Sequence, residues 1–122
     1  MQAMSDLQRP CATMPPVFWP CTDGARLGMG GAPLGNLFQP LRDAQARSLI
    51  DTAWADGCRT FDTAPHYGHG LSERRLGDAL RPHPRSHWRL SSKVGRLLTP
   101  QEGAPRDQHG YVDTLPFVQH WD

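Results

Sequence analysis

The chain has 122 residues, enough for one ordinary domain. Its net charge of +1, with both signs interspersed, excludes the electrostatic footprint of a nucleic-acid or anionic-membrane binder. No apolar run approaches the roughly 18 residues of a transmembrane helix, and twelve glycines, twelve prolines and a hydrophobic fraction of 38% make a loop-rich chain with little core.

Residues 1–24 read as an irregular segment, and residues 25–122 as one folded unit. Pro10, Pro15, Pro16 and Pro20 interrupt the first segment, which lacks the basic-then-apolar pattern of a secretory signal. It is either a divergent cap or partly non-native coding sequence, with Met14 as an alternative start. Cys11, Cys21 and Cys58 lack metal-ligand spacing and read as unpaired thiols of a reduced, cytoplasmic protein. A short strand is predicted over residues 26–29, ending in Gly28-Met29-Gly30-Gly31, and a loop follows through Pro33, Gly35 and Pro40. Asp43 is the expected N-cap of a helix over residues 43–56. Ala46, Leu49, Ile50, Ala53 and Trp54 form its apolar face, and Gly57 closes it. A strand over 58–62, a helix over 72–80 with Leu76, Ala79 and Leu80 inward, and a strand over 88–93 follow. Strands alternating with helices indicate parallel βαβ units with the helices on one side. Residues 95–120 are polar and broken by Pro100, Pro105 and Pro116, and read as a long connection.

Asp62, Tyr67 and Lys93 each stand at or just past the end of a short apolar run. A phenol near its reference pKa of about 10 exchanges protons poorly at neutral pH. A nearby ammonium stabilises the phenolate, and a carboxylate holds that ammonium in place, so the three can do general acid–base work on a carbonyl or alcohol. Neighbouring parallel strands lie about 4.8 Å apart, so a lysine on one strand reaches groups on the next. By spacing alone, a strand-end ion pair between Asp62 and Lys93, with Tyr67 as a packing aromatic, is the better explanation of these residues, because structural ion pairs are common.

Four words in order then weigh on that choice: Gly30-Gly31-Ala32-Pro33-Leu34-Gly35-Asn36, Phe61 to Gly68, Ser72-Glu73-Arg74-Arg75-Leu76-Gly77 and Ser92-Lys93-Val94-Gly95-Arg96-Leu97-Leu98. With them the chain resembles the N-terminal part of an aldo-keto reductase, in the branch like L-fucose or D-threo-aldose dehydrogenase and pyridoxal 4-dehydrogenase. The likeness covers roughly the middle three fifths of the chain. It implies an α/β fold, a partial (β/α)8 TIM barrel holding about the first three βα units, because the whole barrel needs about 250 residues. It implies an NAD(P)-dependent oxidoreductase acting by hydride transfer on a sugar or pyridoxal-type alcohol or aldehyde, with NAD or NADP as cofactor. Tyr67 would be the proton donor, Lys93 the group that lowers its pKa, and Asp62 the anchor of Lys93 beside the nicotinamide ribose. Backbone at Gly30 and Gly31 would lie under the nicotinamide end of the cofactor.

The same resemblance expects two parts that this sequence does not carry. One is a carbonyl-orienting histidine from the fourth strand, a role that neither His109 nor His120 fits; the other is the dinucleotide clamp of the last βα units. The isolated chain is therefore expected to have no useful activity and to bind nicotinamide dinucleotide weakly. An alternative reading is a truncated non-catalytic remnant, or an interaction fragment that self-associates through an open sheet edge. The glycine-rich stretch is not a Rossmann loop, because the third glycine of that fingerprint falls on Pro33. His66 and His69 flank the tyrosine in a loop and read as solvated or substrate-facing imidazoles, with no metal. Ser72 to Arg75 reads as a helix start with a solvated charged face.

Overall fold

The structure, a computed structural model, describes residues 27–121. The expected irregular segment 1–24, with Met14, Cys11 and Cys21, lies outside them. Strand β1 (Met29–Gly30), helix α1 (Asp43–Ala55), strand β2 (Thr60–Asp62), helix α2 (Leu71–Leu80) and strand β3 (Arg89–Ser91) follow in order. The three strands form one parallel sheet in the order β1-β2-β3. The expected parallel βαβ units are thus present. β1 sits later than the expected 26–29, because its ladder begins where Met29 pairs with Phe61 and is extended by the Gly31 amide donating to the Asp62 carbonyl at 2.7 Å.

Helix α1 begins one residue earlier in its caps than expected. Arg42 occupies the N-cap in extended backbone (φ −74°, ψ 148°), and its amide donates to the Gln45 side chain at 3.1 Å. Asp43 is the first helical residue, where its charge still suits the helix dipole. At the other end Gly57 (φ 90°) donates to Trp54 O at 3.0 Å and Cys58 donates to Ala53 O at 2.8 Å, the paired bonds of a left-handed helix stop. Ala46 and Ile50 are buried, and Trp54 packs beside them. Leu49 is 49% exposed, against expectation, because it lies about 100° around the helix from Ile50, off the row that faces α2.

Phe61 of β2 is sealed against Leu34, Ala46, Ile50, Leu76, Ala79 and Leu80, so α1, α2 and the sheet share one core. Each of those larger side chains contributes about 1.5–3 kcal/mol by leaving water. Through Phe61 this core fixes the end of β2, and pairing of Asp62 with Ser91 aligns the end of β3 with it; those ends carry the site.

Residues 95–120 are not the irregular connection expected. Strand β4 (Arg96–Pro100) pairs antiparallel with β5 (Phe117–Trp121), from Arg96 opposite Trp121 to Pro100 opposite Phe117. Prolines at strand ends cost no ladder bond there, and this masks the hairpin in the sequence. Between the two strands, the chain folds back toward the loop between β1 and α1: the Phe38 amide donates to Gly110 O at 2.7 Å and the Val112 amide to Asn36 O at 3.0 Å.

Candidate active site

Asp62 ends β2 and Ser91 ends β3, directly opposite it in register. The Ser91 hydroxyl donates to Asp62 Oδ1 at 2.7 Å. Two residues on, Lys93 turns back over the sheet end, and Ser92 ties the intervening backbone down through its hydroxyl to Glu73 Oε1 at 2.7 Å. The Lys93 ammonium spends its three protons on Asp62 Oδ2 at 2.9 Å, Thr63 O at 3.0 Å and Tyr67 Oη at 3.1 Å. Asp62, Tyr67 and Lys93 therefore converge as the sequence anticipated. The Ser91 hydrogen bond first, and then that of Lys93, hold the Asp62 carboxyl below its usual range. Partial burial pulls Lys93 down, but its bonds to Asp62 and Tyr67 and their charges together leave it above its usual range.

A cavity of about 290 Å³ opens at this sheet end. Ala64, Pro65 and Val94 give it apolar walls, and His66, Tyr67, Lys93 and Arg96 line it with polar groups. Such a concave site with a few convergent polar groups is the common form of a small-molecule site. Gly30, opposite Asp62 in the sheet register, is exposed and has open space where a side chain would stand. Gly31 is buried, bonded through its amide to Asp62 O and through its carbonyl to the Ser72 hydroxyl, both at 2.7 Å.

Two expectations about neighbouring residues change, for His69 and for the Ser72–Arg75 run. His69 is not solvated: it is 1% exposed, with Nδ1 3.1 Å from Leu115 O and 3.3 Å from the Thr114 hydroxyl, so it anchors the 101–116 segment. His66 does line the cavity, with its ring centroid 5.2 Å from that of His109 and 5.4 Å from that of Tyr111. The Ser72–Arg75 run is not wholly a solvated face. Ser72 is fully buried and bonded to Thr63 at 2.9 Å, and Arg75 is 8% exposed. The signal was in the sequence, because Arg75 falls on the row Leu71-Arg75-Ala79, which faces inward.

Tyr111, given no role by sequence reasoning, is the other participant. It is 5% exposed, and its ring stacks on that of Tyr67 with centroids 5.9 Å apart and planes 27° apart. Burial, with the Tyr67 phenol beside it, pushes the Tyr111 hydroxyl up to about 12. Among the described residues no cluster of histidine, cysteine and carboxylate side chains is arranged to hold a metal ion. Cys58 is a free thiol, and its Sγ donates to Thr60 O at 3.3 Å.

The sequence profile of the aldo/keto reductase family matches residues 26–113. The chain is 53% identical over 74 residues to a D-threo-aldose 1-dehydrogenase of a Pseudomonas species, covering 61% of this chain and 22% of that one. It is 49% identical over 73 residues to a pyridoxal 4-dehydrogenase of Microbacterium luteolum, covering 60% of this chain and 21% of the other. Among solved structures, an aldo-keto reductase of Bacillus halodurans in its holo form superposes with a TM-score of 0.53 and 29% identity over 79% of this chain and 26% of that one. A glycerol dehydrogenase of Gluconobacter oxydans gives 0.52 and 25% over 78% and 26%. The chain thus spans about a fifth to a quarter of the length of the relatives it matches, and its fold is a partial β/α barrel.

Proposed function

The chain belongs to the aldo/keto reductase family, and from that premise we propose that Asp62, Tyr67 and Lys93 form the acid–base group of an NAD(P)-dependent oxidoreductase. The proposed substrate is a sugar or a pyridoxal-type molecule, interconverted between alcohol and carbonyl. One observation carries the reading: a single ammonium bridges a carboxylate at 2.9 Å and a phenol oxygen at 3.1 Å at the mouth of a cavity. Because the phenol oxygen accepts from Lys93, its own proton is left to point elsewhere, toward a carbonyl oxygen bound in the cavity. As Tyr67 gives up that proton, the Lys93 charge stabilises the phenolate left behind, and Asp62 keeps Lys93 in place. In the oxidative direction the phenolate takes the proton of the alcohol.

The open space at Gly30, next to the half-exposed Asp62 carboxylate, fits the ribose and nicotinamide end of a dinucleotide. When bound, the nicotinamide gives or takes the hydride. Gly30 and Gly31 would supply the surface it rests on, and Asp62 an acceptor for a ribose hydroxyl. Support for the substrate class comes from the dehydrogenases of aldoses and pyridoxal to which the chain is similar.

A second reading is a chain that is non-catalytic by itself and pairs an open edge with another chain. The observation favouring it is that β1 and β3 each pair on one side only among the described residues, in a chain whose matched part covers only about a fifth to a quarter of its relatives. The test follows nicotinamide absorbance while the purified chain meets NAD or NADP with pyridoxal, L-fucose or another aldose. Turnover that falls about 10²–10⁴-fold in Tyr67→Phe supports the acid–base reading. Turnover indifferent to Tyr67→Phe overturns it, and no turnover in the unaltered chain selects the second reading.

A further inference from the structure

Arg75 is a nearly buried cation on the inner row of α2, far from any obvious chemistry. Burying an arginine is unfavourable unless its donors are met, and here they are. Nε donates to Asp43 Oδ1 at 2.8 Å, Nη1 to Leu34 O at 2.7 Å and to Asn36 Oδ1 at 2.9 Å, and Nη2 to Leu41 O. Three of these four acceptors belong to the turn and loop between β1 and α1. The arginine fixes that loop, and at its centre stands Asn36, in left-handed backbone with φ 67°.

Asn36 joins two structures that hold Tyr67. On its N-terminal side, Gly35 presses against the backbone of Tyr67 and Gly68. A β-carbon on Gly35 would stand 2.5 Å from the Tyr67 carbonyl oxygen and 2.7 Å from the Gly68 nitrogen. On its other side, the Asn36 carbonyl accepts from the Val112 amide at 3.0 Å and its Nδ2 donates to Asp113 O at 3.4 Å. Those bonds seat Tyr111, whose ring stacks on the Tyr67 ring. The backbone beneath the phenol and the ring beside it thus hang from the same asparagine, and that asparagine hangs from Arg75.

We propose that Arg75 and Asn36 are positioning residues for the Tyr67 phenol, acting through Gly35 on its backbone and through Tyr111 on its ring. The inference rests on the reading of Tyr67 as the acid–base group. It has a physical motive: a proton donor misplaced by about 1 Å loses much of its rate advantage, and Lys93, on the phenol oxygen and over the ring face, leaves the Tyr67 backbone unrestrained. The Arg75–Asn36 linkage restrains the rest of the residue from a site that touches neither substrate nor proton.

The test uses the intact chain, isotopically labelled, with proton–proton Overhauser contacts between the Tyr67 and Tyr111 rings as readout and the Ile50 and Leu76 methyl shifts as a monitor of the core. Asn36→Gly keeps the left-handed backbone and removes the three side-chain bonds to Arg75, Leu41 and Asp113. Arg75→Lys keeps the charge and cannot reach all four acceptors. Asn36→Asp keeps the acceptor for Arg75. Loss of the ring contacts in Asn36→Gly and Arg75→Lys, with the methyl shifts unchanged and the contacts retained in Asn36→Asp, is the expected result. Ring contacts that persist in Asn36→Gly overturn the proposal, including where Arg75→Lys fails to fold. In the turnover assay, kcat should fall about tenfold in Asn36→Gly with KM within about twofold of the unaltered chain. An inactive unaltered chain counts against the catalytic reading of Tyr67, while the ring contacts still decide whether the linkage positions it.

Discussion

Ser91 stands opposite Asp62 in the parallel register of β2 and β3, and its hydroxyl gives the Asp62 carboxylate its shortest side-chain hydrogen bond, at 2.7 Å. Strand pairing therefore aims the acid before Lys93 reaches it. The serine is also the foremost cause of the low Asp62 pKa, ahead of the lysine.

Ser91→Ala should for that reason change the pH dependence of stability. A carboxyl with a depressed folded-state pKa stabilises the fold above its unfolded pKa, and that contribution is lost as pH falls through the folded value. The variant should be less stable than the unaltered chain at pH 7, by less than about 1.5 kcal/mol because the acid is half exposed. The gap should narrow as pH drops below the ordinary aspartate range. Urea unfolding at a series of pH values reads this directly, and a gap of constant size would show that Ser91 acts through packing instead.

Lys93→Met should give the mirror image at high pH. The raised pKa of Lys93 means its contribution is whole below about 10.5, the ordinary lysine value, and fades as pH rises through the folded value. At neutral pH the loss should be under about 1 kcal/mol, since the Asp62–Lys93 pair is about half exposed. The two chains should converge in stability above the lysine range, as followed by thermal melts against pH.

Leu76→Ala should destabilise the fold by about 2–5 kcal/mol, because Leu76 is completely buried in the core shared by α1, α2 and Phe61. Leu49→Ala, at a half-exposed position on α1, should cost well under half as much. Equal losses in denaturant titrations would contradict the inward row Ala46-Ile50-Trp54.

Two glycines with positive φ should respond differently to alanine. Gly57 (φ 90°) has open space around its missing side chain, so Gly57→Ala meets only the left-handed penalty of about 1–2 kcal/mol. Gly68 (φ 69°) lies against the Gly35 backbone, and Gly68→Ala adds a collision worth about 1–3 kcal/mol more. Near-equal losses in chemical unfolding would mean that the Gly35–Gly68 contact is loose in solution.

Local chemistry in the sequence was enough to place both helices, to close α1 at Gly57, and to put Asp62, Tyr67 and Lys93 at neighbouring strand ends, because capping glycines, apolar rows and strand alternation act over a few residues. It also marked Leu76, Ala79 and Leu80 as inward, and they are. What it could not decide involves partners far apart in the chain. Asp43 looked like a cap because its neighbours invite one, yet its carboxylate is engaged by Arg74 and Arg75, more than thirty residues away. Arg75 lies on the inward row of α2, but which acceptors meet its donors is settled only by the docking of α2 on the Leu34–Leu41 loop. The β4–β5 hairpin and the stacking of Tyr111 on Tyr67 likewise depend on pairings that no local window contains. Asp62, Tyr67 and Lys93 could be picked out from the residues, but the network that holds them exists only once α2, the β1–α1 loop and residues 101–116 have packed together.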